Sequence, residues 1–153
     1  MIGLRLKPGS IFNTTTLDSW LTSHDVTDLL TGDQIDEFCQ VPASLTEALH
    51  CLASGERSIN SVAKALAVST RTLQREVGSR TGKSPHFWFA LARVRRACRA
   101  LPQFDRLADA AISFGFADQA HMSREMKRWL GVSPSAITSQ SDIFEQLLQP
   151  GYG

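Results

Sequence analysis

Two stretches of this chain are versions of one another. Residues 61–85 read SVAKALAVSTRTLQREVGSRTGKSP, and residues 109–134 read DAAISFGFADQAHMSREMKRWLGVSP. At an offset of 48, Ala63 matches Ala111, Leu66 matches Phe114 and Ser69 matches Ala117. The second copy gains one residue in its turn, so the offset becomes 49. Leu73 then matches Met122, Arg75 and Glu76 match Arg124 and Glu125, Gly82 matches Gly131, and Ser84 and Pro85 match Ser133 and Pro134. A repeat of this length is one supersecondary unit used twice. Each copy follows the pattern of a helix-turn-helix. A small residue, Ala63 or Ala111, sits where the first helix must approach the second closely. A tight turn follows at Ala67 and Val68, or at Gly115 and Phe116. A polar cap (Ser69 or Thr70 in one copy, Asp118 in the other) opens a second helix with basic and amide side chains on its free face.

The surrounding periodicity is helical throughout. Leu45, Ala48, Leu49 and Leu52 fall at i, i+3, i+4 and i+7, with Gly55 as a stop. Ile59, Val62, Ala63 and Leu66 repeat that spacing behind Ser58 as N-cap. Ser84 and Pro85 open a long helix, since proline suits a first turn. Its apolar stripe is Phe87, Leu91, Val94, Cys98 and Leu101, and Pro102 stops it. Leu107, Ala108, Ala111 and Phe114 mark a fifth helix, and Met122, Met126 and Trp129 face inward from a sixth that ends at Gly131. Ser133 and Pro134 open a seventh. The expected fold is all-α: two helix-turn-helix subdomains joined by a long linker helix, with a short irregular N-terminal segment. Within that segment, Leu4, Arg5, Leu6 and Lys7 before Pro8 and Gly9 read as an end strand or extended arm. Short helices are expected around Asp18–Leu21 and Gln34–Cys39.

Net charge is +1, which alone argues against a nucleic-acid partner. Its distribution reverses that reading. Residues 1–56 hold two basic and eight acidic side chains, whereas residues 57–138 hold fourteen basic and five acidic, a local excess of +9. A basic middle of this size suits a surface that meets phosphates. No apolar run approaches the roughly 18 residues of a membrane span, and MIGLRLKPGS lacks the apolar core of a signal peptide. A cytoplasmic protein is expected. Three cysteines, Cys39, Cys51 and Cys98, form no CxxC pair and no zinc-type spacing with histidine, so they read as reduced thiols. No cofactor and no metal are expected.

At the repeat the chain resembles the DNA-binding domain of the AraC/XylS family of bacterial regulators. The resemblance covers about residues 44–138 and is most specific in GFADQAHMSREMKRWLGVSP, residues 115–134. The stretch LAVSTRTLQREVGSRTGKSP, residues 66–85, fits the first unit. It implies helix-turn-helix units at about 58–79 and 106–130 on either side of a linker helix at about 85–101, presenting two recognition helices to successive major-groove segments. Departures are Val77 and Met122 where the family often has an aromatic or Leu, Gly78 inside the first recognition helix, Ala120 at a position often polar, and Ile137 where Tyr is common. Family members usually carry a complete effector or dimerisation domain. Here about 43 residues precede the first matching helix, and RLKPGS at 5–10 looks like the closing piece of a sensor domain. The expected organisation is an N-terminal segment 1–43, a DNA-binding domain 44–138 and a tail 139–153. It fits a minimal family member or the product of a truncated reading frame.

Side chains near the start of a recognition helix reach base edges. In the first unit these are Thr70, Arg71, Gln74 and Arg75; in the second, Gln119, Ala120, Ser123 and Arg124. Arginine pairs with guanine bidentately, glutamine does so with adenine, and Ala120 has only a thymine methyl to touch. Lys83, Arg93, Arg95, Arg96, Arg99, Lys127 and Arg128 are candidates for phosphate contacts, which position rather than specify. The competing reading for each is a solvated helix face. His121 is expected to cap or hydrogen-bond locally, since it and Glu125 make only half a metal site. Trp20, Trp88 and Trp129 read as core or interface. Double-stranded DNA is the expected partner, with RNA polymerase or a homodimer partner as further candidates and no membrane. One rival is a truncated regulator acting as a protein-interaction module on a full-length relative, through Ile143, Phe144, Leu147 and Leu148 of the tail. The other is an enzyme. Some relatives of the fold accompany alkyl-transfer domains with a reactive cysteine, but His50 and Cys51 are consecutive and point about 100° apart on a helix. No phosphate loop or nucleophile elbow appears.

Overall fold

The computed structural model describes residues 10–12, 19, 22, 23, 39–56 and 58–139. The arm at 4–9, Trp20, most of the two short N-terminal helices and the apolar tail residues lie outside the described residues. Ser19, Thr22 and Ser23 are helical, and the Ser23 hydroxyl donates to the Ser19 carbonyl one turn back, at 3.1 Å. Two two-residue strands, β1 (Ile11–Phe12) and β2 (Cys39–Gln40), pair antiparallel, Ile11 opposite Gln40 and Phe12 opposite Cys39. A ladder this short leaves the fold all-α. The chain divides between Glu47 and Ala48 into two compact units.

Seven α-helices follow: α1 (Ala43–Ala53), α2 (Ile59–Ala65), α3 (Thr70–Thr81), α4 (Pro85–Ala100), α5 (Leu107–Ser113), α6 (Gln119–Leu130) and α7 (Pro134–Ser139), with a 3₁₀ turn at Leu101–Gln103 after α4. Their starts follow from cap chemistry. Ser58 accepts from the Ser61 amide in a reciprocal capping box, and Ser69 accepts from Thr72. Ser84 accepts from Phe87 ahead of Pro85, and Asp118 accepts from His121. Each satisfies an amide that the helix cannot, a contribution of about 1 kcal/mol. Gly82 and Gly131 end α3 and α6 at φ +67° and +76°, a left-handed conformation that costs other residues 1–2 kcal/mol or so.

The repeat holds in three dimensions, with one correction. The Val68 amide donates to the Ala63 carbonyl, and the Phe116 amide donates to the Ala111 carbonyl. The turns therefore stay in register through Val68 and Phe116. Ser69 and Asp118 are the equivalent caps, so Ala117 is the inserted residue and not the partner of Ser69. Ala63 and Ala111 are buried, at 3% and 0% exposure, as close helix approach requires.

The linker helix α4 packs against α2 and α3 on one side of the chain's order and α5 and α6 on the other. Its buried residues are Pro85, Ala90, Ala92, Val94, Ala97 and Cys98, while Phe87 and Leu91 are only half-buried. Of the expected stripe Val94, Cys98 and Leu101 are buried, and Ala90, Ala92 and Ala97 are buried in place of Phe87 and Leu91. A helix flanked by two units must let backbones approach on more than one side, and methyl groups permit that. Around its second half, Val94, Ala97, Cys98 and Leu101 join Ala110, Ala111, Phe116, Met122, Met126 and Ile137 in one apolar cluster. Leu73 and Val77 of α3 and Val62 and Ala63 of α2 are buried in the first unit. No helix among the described residues is long and apolar enough to cross a membrane.

Candidate nucleic-acid interface

Helices α3 and α6 have the same length, twelve residues, and the same construction: cap, buried residues at matched positions, left-handed glycine stop. Leu73 and Val77 point inward from one, Met122 and Met126 from the other. Helical geometry then sends Arg71, Gln74, Arg75 and Gly78 to the opposite face of α3, and Ala120, Ser123, Arg124 and Lys127 to that of α6. Arg71, Gln74, Arg75, Gln119, Ala120 and Arg124 are exposed; Thr70 and Ser123 are half-buried. All eight expected base-contacting residues lie in the first two turns of their helices.

The two guanidiniums at the centre of these faces are uncommitted. Neither Arg75 nor Arg124 makes a hydrogen bond or ion pair among the described residues. The glutamates that follow them are turned along the helix. Glu76 holds Arg80 at 3.0 Å, and Glu125 accepts from the Trp129 indole N–H at 3.0 Å and lies 3.6 Å from Arg128. Ser123 differs from its counterpart Gln74, because its hydroxyl donates to the Gln119 carbonyl at 2.9 Å.

The other expected contacts divide. Lys83, Lys127 and Arg128 are exposed. Lys83 lies over the Phe87 ring and Arg128 over the Trp129 ring, at 5.3 and 5.6 Å. The four linker arginines are half-buried. Arg96 donates to the Ala53 carbonyl at the end of α1, 3.0 Å away, and Gly55 leaves it that room: a Cβ there would stand 2.6 Å from its Nη1. Burial, with Arg93 nearby, lowers the Arg96 pKa from its ordinary value. Arg93 donates to the Gly115 carbonyl at 3.3 Å and stacks 4.5 Å over the Phe116 ring. Both arginines tie the linker to carbonyls at helix ends, where the helix dipole favours a cation. Sequence reasoning missed this role, because partners 22 and 43 residues away leave no local trace. It also passed over Lys64 and Arg106, exposed cations of the same basic stretch, for which charge counting was the available signal.

Among the described residues, none near this surface has the make-up of a reaction centre. His121 is used locally: its Nδ1 accepts from the Ala117 amide at 3.2 Å, which seats the inserted residue, and its ring meets the Phe116 ring edge-on. Cys98 is buried, and desolvation pushes its thiol pKa up to about 11 against the opposing pull of Arg99 and Arg95. A thiol so placed is a poor nucleophile. His50 is exposed and Cys51 half-buried on α1. Trp88 donates to the Thr81 hydroxyl at 3.0 Å, and Phe87 packs edge-on against both Trp88 and Trp129, so these tryptophans serve packing. No group of three His, Cys, Asp or Glu side chains among the described residues is placed to hold a metal.

Comparison with known proteins agrees with the fold. A helix-turn-helix domain family matches residues 62–140. No curated protein matches the chain in sequence. Among solved structures, a transcriptional regulator from Chromobacterium violaceum described as having an AraC-type DNA-binding domain is similar, with TM-score 0.57 and 24% identity over 71% of this chain and 95% of that one. The C-terminal domain of AraT, a response regulator from Geobacillus stearothermophilus, is similar with TM-score 0.55 and 22% identity, over 65% of this chain and 87% of its own. The DNA-binding domain of AdpA, a global transcriptional factor solved with a target DNA, has TM-score 0.50 and 27% identity over 70% of this chain and 95% of its own.

Proposed function

This chain belongs to the AraC-type helix-turn-helix family and is a DNA-binding transcription regulator rather than an enzyme; from that premise we propose that it reads two successive major-groove segments of duplex DNA with α3 and α6. The observation that carries this reading is the pair Arg75 and Arg124. They occupy matched places on two equally built helices, exposed and without a partner among the described residues, inside the stretch with an excess of nine positive charges. The sixteen residues of α4 span roughly 24 Å at 1.5 Å per residue. Units packed on a rod of this length suit recognition helices about one DNA turn, ~34 Å, apart.

In this reading Thr70, Arg71, Gln74, Arg75, Gln119, Ala120, Ser123 and Arg124 face base edges. Lys83, Arg95, Arg99, Lys127 and Arg128 face phosphates. Arg93 and Arg96 act as braces for the linker. Residues 44–138 form the binding domain between an N-terminal segment and a tail, and the protein works in the cytoplasm. A further partner in regulation, RNA polymerase or a second copy of the chain, has Ile112 on α5 available to it, an apolar side chain 71% exposed.

The test is a salt titration of duplex binding by the whole chain. With about six phosphates neutralised, affinity falls ~10³-fold between 50 and 200 mM salt. Affinity that stays flat over that range, or no binding at low salt, overturns the proposal.

A further inference from the structure

We infer that the two units divide the work: α3 selects the base sequence, α6 chiefly anchors the protein on the backbone, and the preferred operator is correspondingly lopsided. This rests on the proposed reading of two major-groove segments and deepens it. The two helices, equal in length, differ at matched positions.

On α3 the exposed positions Arg71, Gln74 and Arg75 all carry side chains able to pair bidentately with a base, two with guanine and one with adenine. None of the three has a hydrogen bond or ion pair among the described residues. On α6 the same positions hold Ala120, Ser123 and Arg124. Ala120 has no polar atom, and the Ser123 hydroxyl hydrogen is directed to the Gln119 carbonyl. Arg124 remains as the single bidentate reader at these three places.

One turn further on, the balance reverses. Gly78 and Ser79 on α3 carry no charge, whereas Lys127 and Arg128 stand at the matching places on α6, both exposed. Arg128 is 72% exposed, and its nearest carboxylate oxygen is 3.6 Å away on Glu125, a pair too loose to hold it from a phosphate. The caps differ in the same sense. Ser69 is neutral, while the Asp118 carboxylate at the start of α6 repels the phosphates flanking any base that Gln119 and Ala120 approach. The ligand is therefore a duplex with guanine, adenine and guanine specified in one major-groove segment. Its neighbour has one specified guanine at Arg124, a weak preference for thymine at Ala120, and an adenine read only weakly by Gln119 beside the Asp118 carboxylate.

The experiment is selection of bound sequences from a random duplex library by the full chain, followed by binding measurements on the winner. The expected motif has three specified positions in one segment and one strong position in the other. Arg71→Ala and Gln74→Ala each lower affinity for the winner about 5- to 150-fold and relax one position. Lys127→Ala weakens every sequence alike and reduces the salt slope by about one. Combining Ala120→Arg with Ser123→Gln gives α6 the reading set of α3 and adds two specified positions to the poorer segment. Equal information in both segments, or an unchanged motif from the double variant, overturns the division of labour and leaves the two-segment reading standing. Salt-dependent binding with no motif at all overturns both, through a different signature.

Discussion

In the first helix-turn-helix unit, the turn after α2 places Ala67 at φ +53°, and the recognition helix carries Gly78 in its interior. The side chains buried beneath it are Val62, Ala63, Leu73 and Val77. In the second unit the matching turn residue is Gly115, at φ +72°, and the helix carries Lys127 where the first has glycine. Beneath it lie Met122, Met126, Phe116 and Ile137, flanked by Phe104, Phe114 and Trp129. The turns also differ in cover: Val68 is 39% exposed, while Phe116 is 4% exposed and lies under Arg93. The unit proposed to read more bases thus has the lighter scaffold. A recognition helix keeps its inward and outward faces chemically independent, so one can gain readers without gaining core.

The comparison is most exposed to a charge placed in the close helix contact. Ala63→Asp and Ala111→Asp each bury an unpaired carboxylate and are expected to cost more than about 3 kcal/mol. Ala111→Asp, set in the bulkier cluster, is the larger loss. Denaturant melts with hydrogen exchange resolved by helix check both values, and a larger loss from Ala63→Asp reverses the ranking of the scaffolds. Next come the paired arginines. Arg75→Ala and Arg124→Ala are each expected to cost about 1–3 kcal/mol of binding and to relax a single position. If either variant loses affinity uniformly across all sequences, that arginine touches phosphate and the equivalence of the two faces fails.

Smaller effects sharpen the contrast. A Cβ at Gly78 meets nothing within 4 Å, so Gly78→Ala should stabilise the first unit by about 1 kcal/mol and raise the melting midpoint. An unchanged or lower midpoint means that α3 gains nothing from a better helix former. The smallest expected effect is at the turns. Ala67→Gly relieves a left-handed alanine worth about 1–2 kcal/mol but adds about 0.5–1 kcal/mol of chain entropy, leaving a net gain between zero and about 1.5 kcal/mol. Gly115→Ala, the reverse change in the second unit, should lose a similar amount. The same sign for both substitutions shows that the turns are not equivalent.

Much of this architecture was legible in the sequence because its determinants are local. Ser58, Ser69, Ser84 and Asp118 announce helix starts through bonds to amides three residues on, and Gly82 and Gly131 announce stops. The matched arginines were legible because a face repeats every three or four residues. What escaped had distant or subtle causes. The inserted residue fits several places in the turn by letters alone; only the amides of Val68 and Phe116, bonded to Ala63 and Ala111, fix it at Ala117. Ala90, Ala92 and Ala97 outrank Phe87 and Leu91 in burial because helices crowd α4 on several sides, a fact no single helical stripe contains. Arg93 and Arg96 looked like surface charge because the carbonyls they meet belong to other helices.

The linker helix has a mechanical consequence for the DNA. From Pro85 to Ala100 it is one unbroken rod, with no glycine and no proline after its first residue. Both reading heads are packed onto it. Inserting one base pair between the two segments of an operator moves the second by only ~3.4 Å, but it also rotates that segment by about 34° around the duplex axis. A rod has no freedom to twist after it. For this protein an operator of the wrong spacing is an error of phase more than of distance: the second recognition helix meets a ridge of phosphates where the groove should be.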